Sequence, residues 1–251
     1  VKKADRPYGD VMEKLIYAFW GDVASTETVR QRFVQDVRPQ LTELGVERLQ
    51  LNLTDLDLTG AVEHMQRRTG ANPKPAGIVS FWLTSAYRRA PAEKLLAQSL
   101  GRLAGYVVAE STILSNVEHP PKAGERTWGF SQVSFLKVAA RLSFEEWRRI
   151  WFEKHTQVGI ETQANFRYIQ NVVVMPLTAD APAWRGIVEE GFPVEAMRDL
   201  RVFYDAVGDE AKFQRNLGLM MESCARFLDA DAVDVIATSE YLLHANPEPK
   251  L

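Results

Sequence analysis

Apolar and polar positions change period several times along this chain, and each change marks an element. Lys14–Trp20 (KLIYAFW) is an unbroken apolar and aromatic run of strand length. From Thr26 to Leu44, Val29, Phe33, Val37, Leu41 and Leu44 recur every three or four positions, which is one stripe of a helix. Pro39 is expected to bend that helix or end a segment of it, and Gly45 to stop it. Val46–Leu53 alternates, with Leu49, Leu51 and Leu53 on one face and Arg48, Gln50 and Asn52 on the other. That pattern predicts a half-buried strand. Gly77–Thr84 predicts a third strand, Pro91–Leu103 a second helix and Tyr106–Leu114 a fourth strand.

Residues 115–126 contain His119-Pro120-Pro121 and Gly124 and read as a linker. The succession then restarts. Strands are expected at 130–139, 165–177, 184–192 and 233–244, and helices at 143–163, 195–206 and 210–228. The two halves repeat at a period of roughly 118 residues, far too long for a solenoid. The fold class is therefore α+β: two tandem ferredoxin-like β-α-β-β-α-β units, residues 10–116 and 127–246. Such units can pack sheet to sheet and close a barrel inside one chain. The alternative is two separate α+β domains.

Charge and composition narrow the function. The net charge of −3, without a basic block, argues against nucleic acid as a partner. No apolar run approaches the roughly 18–20 residues that span a bilayer, so no membrane partner is expected. The first residues, Val1-Lys2-Lys3-Ala4-Asp5, lack an apolar signal core. The single Cys224 cannot form an internal disulfide, which fits a cytoplasmic protein. Cys224 follows the apolar run Leu219-Met220-Met221 and is expected to be a buried, inert thiol. His64, His119 and His244 are scattered without metal-ligand spacing, so no metal is expected. Without a dinucleotide fingerprint, a phosphate-binding loop or a nucleophile elbow, no cofactor is expected either.

The chemistry concentrates in the second half. Ser143-Phe144-Glu145-Glu146 is a capping box at a helix start. The apolar stripe of that helix holds Phe144, Trp147, Trp151 and Val158, with His155 at its edge. Aligned by their starts, the two first helices set His155 against Val37. Burying an imidazole costs energy unless it finds a partner. His155 therefore either reaches a cavity, where it moves protons near neutral pH, or is a structural histidine bonded to a backbone carbonyl. On the next strand, Phe166, Tyr168 and Gln170 share one face, and Arg167, Ile169 and Asn171 the other. A one-residue slip exchanges the faces, so the pattern leaves open which set lines a cavity. Tyr17, Trp20, Phe81 and Trp82 either wall an aromatic pocket or fill a core. Glu110, Glu189, Glu190, Asp234 and Glu240 lie on expected strands, and any that faces a cavity would be an acid of raised pKa.

The run from Ser143 to His155, followed by Phe166-Arg167-Tyr168-Ile169-Gln170-Asn171, resembles the EthD family of the dimeric α/β-barrel superfamily. The first half resembles the fold but has Val37 and Pro39 in place of the histidine motif. The resemblance implies that His155 and Tyr168 form an acid/base pair, with Arg167 or Gln170 holding an anionic or carbonyl oxygen. Asn171, Trp151, Trp82 and Tyr17 complete the expected substrate-binding set. The function expected first is a cofactor-independent lyase, of decarboxylase, dehydratase or cyclase type, acting on a small aromatic or polyketide-like acid. Alternatives are a cofactor-free monooxygenase or isomerase, a non-catalytic binding protein, and a haem-binding protein. Either a monomer or a homodimer satisfies barrel closure.

Overall fold

The computed structural model describes residues 12–21, 26–55, 58, 60–61, 74–229 and 233–243. Its eight strands are β1 (Glu13–Trp20), β2 (Glu47–Leu53), β3 (Gly77–Leu83), β4 (Arg102–Leu114), β5 (Phe130–Leu136), β6 (Arg167–Pro176), β7 (Gly186–Phe192) and β8 (Val233–Leu242). They form one closed antiparallel barrel in the order β1-β3-β2-β8-β5-β7-β6-β4. Each half contributes four contiguous strands to the ring. The seams are β2 against β8 and β4 against β6, so the barrel closes within one chain.

The helices lie on the outside. The first half carries α1 (Thr26–Arg32), α2 (Arg38–Glu43) and α3 (Ala90–Leu100). The second half carries α4 (Phe144–Ile150), α5 (Thr156–Thr162), α6 (Leu200–Phe203) and α7 (Glu210–Phe227). Among the described residues, no helix is long and apolar enough to cross a membrane. Alternation along the strands separates two environments. Ile16, Ile78, Val133, Phe135, Ile187 and Ile236 meet inside the barrel. Side chains of the opposite parity, such as Leu15, Tyr17 and Phe81 in the first half, meet the covering helices.

Both first helices pass through one wide π-helical turn, Phe33–Val37 in the first half and Trp151–His155 in the second. Val37 and His155 are each the last residue of their turn, as the alignment by helix starts expected. The helical path continues past Pro39, but one segment does end beside it: the π-turn stops at Val37 and α2 begins at Arg38, with Pro39 in its first turn. The second helix stops earlier than its apolar pattern suggested. Gly101 adopts φ +77 and β4 begins at Arg102. Gly105 then gives way to Tyr17, whose ring would lie 2.4 Å from a Cβ there. The expected helix 195–206 is instead a 3₁₀ turn, Val194–Met197, followed by the four-residue α6. His64 and His244 lie outside the described residues.

Candidate active site

A cavity of about 380 Å³ lies between the outer face of the second-half strands and the helices α5 and α7. Gln132, Tyr168 and Glu190 line it from the sheet, Trp151 and His155 from the π-turn, and Met220 and Cys224 from α7. The helix that carries the π-turn starts at a complete capping box: the Ser143 hydroxyl accepts from the Glu146 backbone, and the Glu146 carboxylate accepts from the Ser143 backbone. Trp147 and Trp151 then pack onto β7 over Gly186, where a Cβ would stand 2.8 Å from the Trp151 ring. A side chain at position 186 would push the π-turn off the sheet.

The π-turn shifts the helical hydrogen-bond pattern, and the Thr156 hydroxyl donates back to the Trp151 carbonyl at 2.8 Å. His155 Nδ1 lies 3.0 Å from the Ser223 hydroxyl of α7, and its ring centroid is 4.6 Å from that of Phe227. Burial lowers its pKa to about 4. At neutral pH it is therefore an uncharged imidazole, and its recorded partner is a side-chain hydroxyl rather than a backbone carbonyl.

Tyr168 is fully enclosed. Its oxygen accepts from Trp151 Nε1 at 3.3 Å and from Gln170 Nε2 at 3.1 Å. Gln170 Nε2 also donates to Thr156 Oγ1 at 2.8 Å. Burial pushes the phenol pKa up, and the nearby Glu190 carboxylate adds to the rise. Glu190 sits directly opposite Tyr168 in the β6–β7 register, so the two side chains project to the same side. Burial raises the Glu190 pKa to about 7, only partly offset by the amides of Asn165, at 3.3 Å, and Gln132. Among the described residues that line the cavity there is no Lys or Arg; Asp229, at its edge, is bonded to Arg141.

The register settles which strand face is which. Tyr168 and Gln170 face the helices, and Arg167 and Asn171 face the barrel interior; Phe166, just before the strand, packs instead on His119 and Trp128 and over Gly191. There Lys14 Nζ reaches Glu110 at 2.6 Å, Asn171 at 2.9 Å and Glu189 at 3.0 Å. Because β1 and β7 are not neighbours in the ring, the Lys14–Glu189 pair must cross the interior. Arg167 bonds Glu189 and Gln50, both at 3.3 Å, and pairs with Glu240 at 2.9 Å. Burial opposes ionisation of Glu189, yet Lys14 and Arg167 hold its carboxyl well below the usual carboxylate range.

Of the residues singled out from the sequence, His155, Tyr168 and Trp151 meet at the cavity, and Gln170 supports it from behind. Arg167 and Asn171 lie on the opposite face, committed to the interior ion pairs. Tyr17 belongs to the first half: it stacks on Phe81 at 5.7 Å and donates to Glu93 at 2.9 Å. Trp82 lies under the Arg48 guanidinium, 5.0 Å from its centroid. Neither Tyr17 nor Trp82 lines the cavity. Cys224 does line it and is partly exposed, 3.7 Å from the Met220 sulfur, so it is not the fully buried thiol expected.

Ser223, Gln132 and Tyr204 were not anticipated, and Glu190 stood only as one of five carboxylates. A signal for Glu190 was present. Two successive glutamates in the strand Gly186–Phe192 must place one carboxyl on each face of the sheet. Tyr204, which also lines the cavity, has its phenol pushed up to about 12 by burial and the nearby Cys224.

No protein-family model and no curated protein matches the chain. Solved structures match its fold. An anthrone oxidase-like protein aligns over 97% of this chain and 98% of its own, with a TM-score of 0.52 and 7% identity. A presumed monooxygenase from Lactobacillus acidophilus NCFM aligns over 93% and 97%, with a TM-score of 0.46 and 8% identity. A mutant chlorite dismutase from Candidatus Nitrospira defluvii aligns over 92% and 91%, with a TM-score of 0.45 and 11% identity. At such identities the likeness concerns architecture alone. The chain is an α+β protein with a closed eight-stranded antiparallel barrel, of the dimeric α/β-barrel type.

Proposed function

We propose that this protein is a cofactor-independent acid–base enzyme that takes a proton from a small, uncharged, largely apolar molecule. Glu190 is the base. The observation that carries this reading is its placement: a carboxyl buried at the cavity wall, held by two amides, with no Lys or Arg among the described lining residues. A carboxylate in such a site accepts protons far more readily than one in water. Tyr168 stands across the strand pair and supplies the acid.

The step balances within the ligand and these two residues. The Glu190 carboxylate takes a proton from a C–H beside a carbonyl, the electron pair moves onto the carbonyl oxygen, and Tyr168 gives that oxygen its proton. The product is the enol. With a β-hydroxy ketone, the electron pair of the enolate instead returns to form the C=C bond, the C–O bond to the β-hydroxyl breaks, and Glu190 gives that hydroxyl the proton it took, releasing water; the enzyme is then a dehydratase-type lyase. An acid substrate fits less well, because Arg167 is occupied on the other face of the sheet. His155 is neutral here and ranks as a hydrogen-bonding wall of the cavity.

The test is deuterium wash-in from solvent into 2-tetralone, an uncharged, enolisable bicyclic ketone, followed by proton NMR. The protein should accelerate exchange, and Glu190→Gln should remove about 10²–10⁴-fold of it. Equal exchange with wild type and Glu190→Gln overturns the reading. A cofactor-free monooxygenase is the second reading, favoured by the apolar helix face of the cavity, which would keep a deprotonated ring away from water. Oxygen uptake coupled to turnover separates it from the lyase.

The run from Ser143 to His155 and the strand Phe166–Asn171 support kinship with the EthD family. The matching strand order of the halves supports two tandem ferredoxin-like units, residues 10–116 and 127–246. The lone cysteine supports a cytoplasmic setting, and the intrachain seams support a monomer over a homodimer.

A further inference from the structure

We propose that Gln170 and Trp151 are positioning residues that make Tyr168 a proton donor: both aim N–H groups at its oxygen, so its own O–H is left to donate to whatever occupies the cavity. This rests on the proton-transfer reading above. The argument is a count of donors and acceptors. It starts at the π-turn. The Thr156 hydroxyl spends its one proton on the Trp151 carbonyl, 2.8 Å away. Its oxygen can then only accept from Gln170, also at 2.8 Å. That requires the amide nitrogen, not the amide oxygen, to face Thr156, and it fixes which way round the Gln170 amide lies.

The second hydrogen of the same nitrogen points to Tyr168 Oη, at 3.1 Å. The Trp151 indole N–H has no acceptor capacity, and it too reaches Tyr168 Oη, at 3.3 Å. A phenol oxygen has two lone pairs, and both are now engaged. The Thr156 hydroxyl also lies against Tyr168 Oη, and its oxygen keeps one free lone pair, so the phenol proton rests on Thr156 Oγ1 until a ligand carbonyl in the cavity, which Tyr168 lines opposite Glu190, offers a stronger acceptor. When Tyr168 donates, its O–H bond breaks and the charge left on Oη is already met by two N–H groups. Hydrogen bonds to a charged acceptor are stronger than those to a neutral one, so the pair favours the donated state over the resting one. Gln170 therefore acts on the substrate through Tyr168, not by touching it.

The experiment reads the carbonyl stretch of 2-tetralone bound to the full chain by difference infrared spectroscopy, beside the wash-in rate. In wild type the stretch should fall below its value in Tyr168→Phe, and Glu190→Gln should keep the lowered stretch while losing exchange. Gln170→Leu should slow exchange about 10- to 100-fold with little change in probe affinity. Thr156→Val is the sharper variant. It releases the amide to turn over, so that Gln170 Oε1 captures the phenol proton and the carbonyl stretch returns to its Tyr168→Phe value. A wild-type stretch equal to that of Tyr168→Phe overturns the donor assignment. Unchanged stretch and rate in both Gln170→Leu and Thr156→Val overturn the positioning role. Loss of exchange in Glu190→Gln bears only on the base.

Discussion

Glu189 and Glu190 are consecutive in β7, carry the same carboxyl group, and are both almost completely buried. The barrel wall separates them. Glu189 points inward to Lys14, Arg167, Gln50 and Asn171, four donors of which two are cations. Glu190 points outward to two amides and an apolar cavity. Burial penalises ionisation in both; only the partners differ, and they drive the two pKa values in opposite directions. Depth alone therefore does not make an acid or a base. The inner carboxylate serves the barrel, and the outer one is left at a proton affinity suited to exchange near neutral pH.

Substitutions on the two sides should differ in sign as well as size. The largest effect is expected for Glu189→Leu, which leaves Lys14 and Arg167 buried without their shared carboxylate. Breaking one partner of a buried pair costs about 3–5 kcal/mol, and urea unfolding at pH 8 would measure it. Glu190→Gln should move the opposite way. Its carboxyl rises from about 4.5 to about 7 on folding, so the folded state holds its proton more tightly than the unfolded chain. The stability this contributes is complete below pH 4.5 and is lost as pH rises through 7. At pH 8 the substitution should stabilise the protein by up to roughly 3 kcal/mol. It should also flatten stability against pH between 4.5 and 7, which thermal melts across that range would reveal.

The paired π-turns give the next contrast. Val37 is buried among apolar residues of the first half, whereas His155 has Ser223 and a cavity. Val37→His should cost about 1–3 kcal/mol, the penalty of a buried polar group left unpaired, read by the same urea titration. The smallest effect is expected at the helix start, where Ser143→Ala should remove about 1 kcal/mol of capping. The second-half first helix should then fray before its interior does, as hydrogen exchange at Glu146 and Trp147 would record.

Much of the architecture was legible from period alone. Alternation in Val46–Leu53 and the stripe from Val29 to Leu44 report local burial, which the side chains themselves dictate. The early stop of the second helix was not legible, because Leu103 extends the apolar stripe whether its backbone is helical or extended. At the site, His155 and Tyr168 stood out as polar groups on apolar elements. Their distinction from Arg167 and Asn171 depended on a one-residue register that only pairing with β7 supplies. Which of Glu189 and Glu190 faces the cavity was hidden for the same reason, since nothing local separates the two. The π-turn was hidden too, as was the close seating of Trp151 on Gly186, a residue of a strand distant in sequence.

Both seams of the ring join strands of a single polypeptide. Closure of the barrel is thus first order in protein and needs no second chain. A ring made from two identical chains must carry every substitution twice. Here one half could keep a dry aliphatic packing at Val37 while the other opened a chamber around His155, each without altering its counterpart.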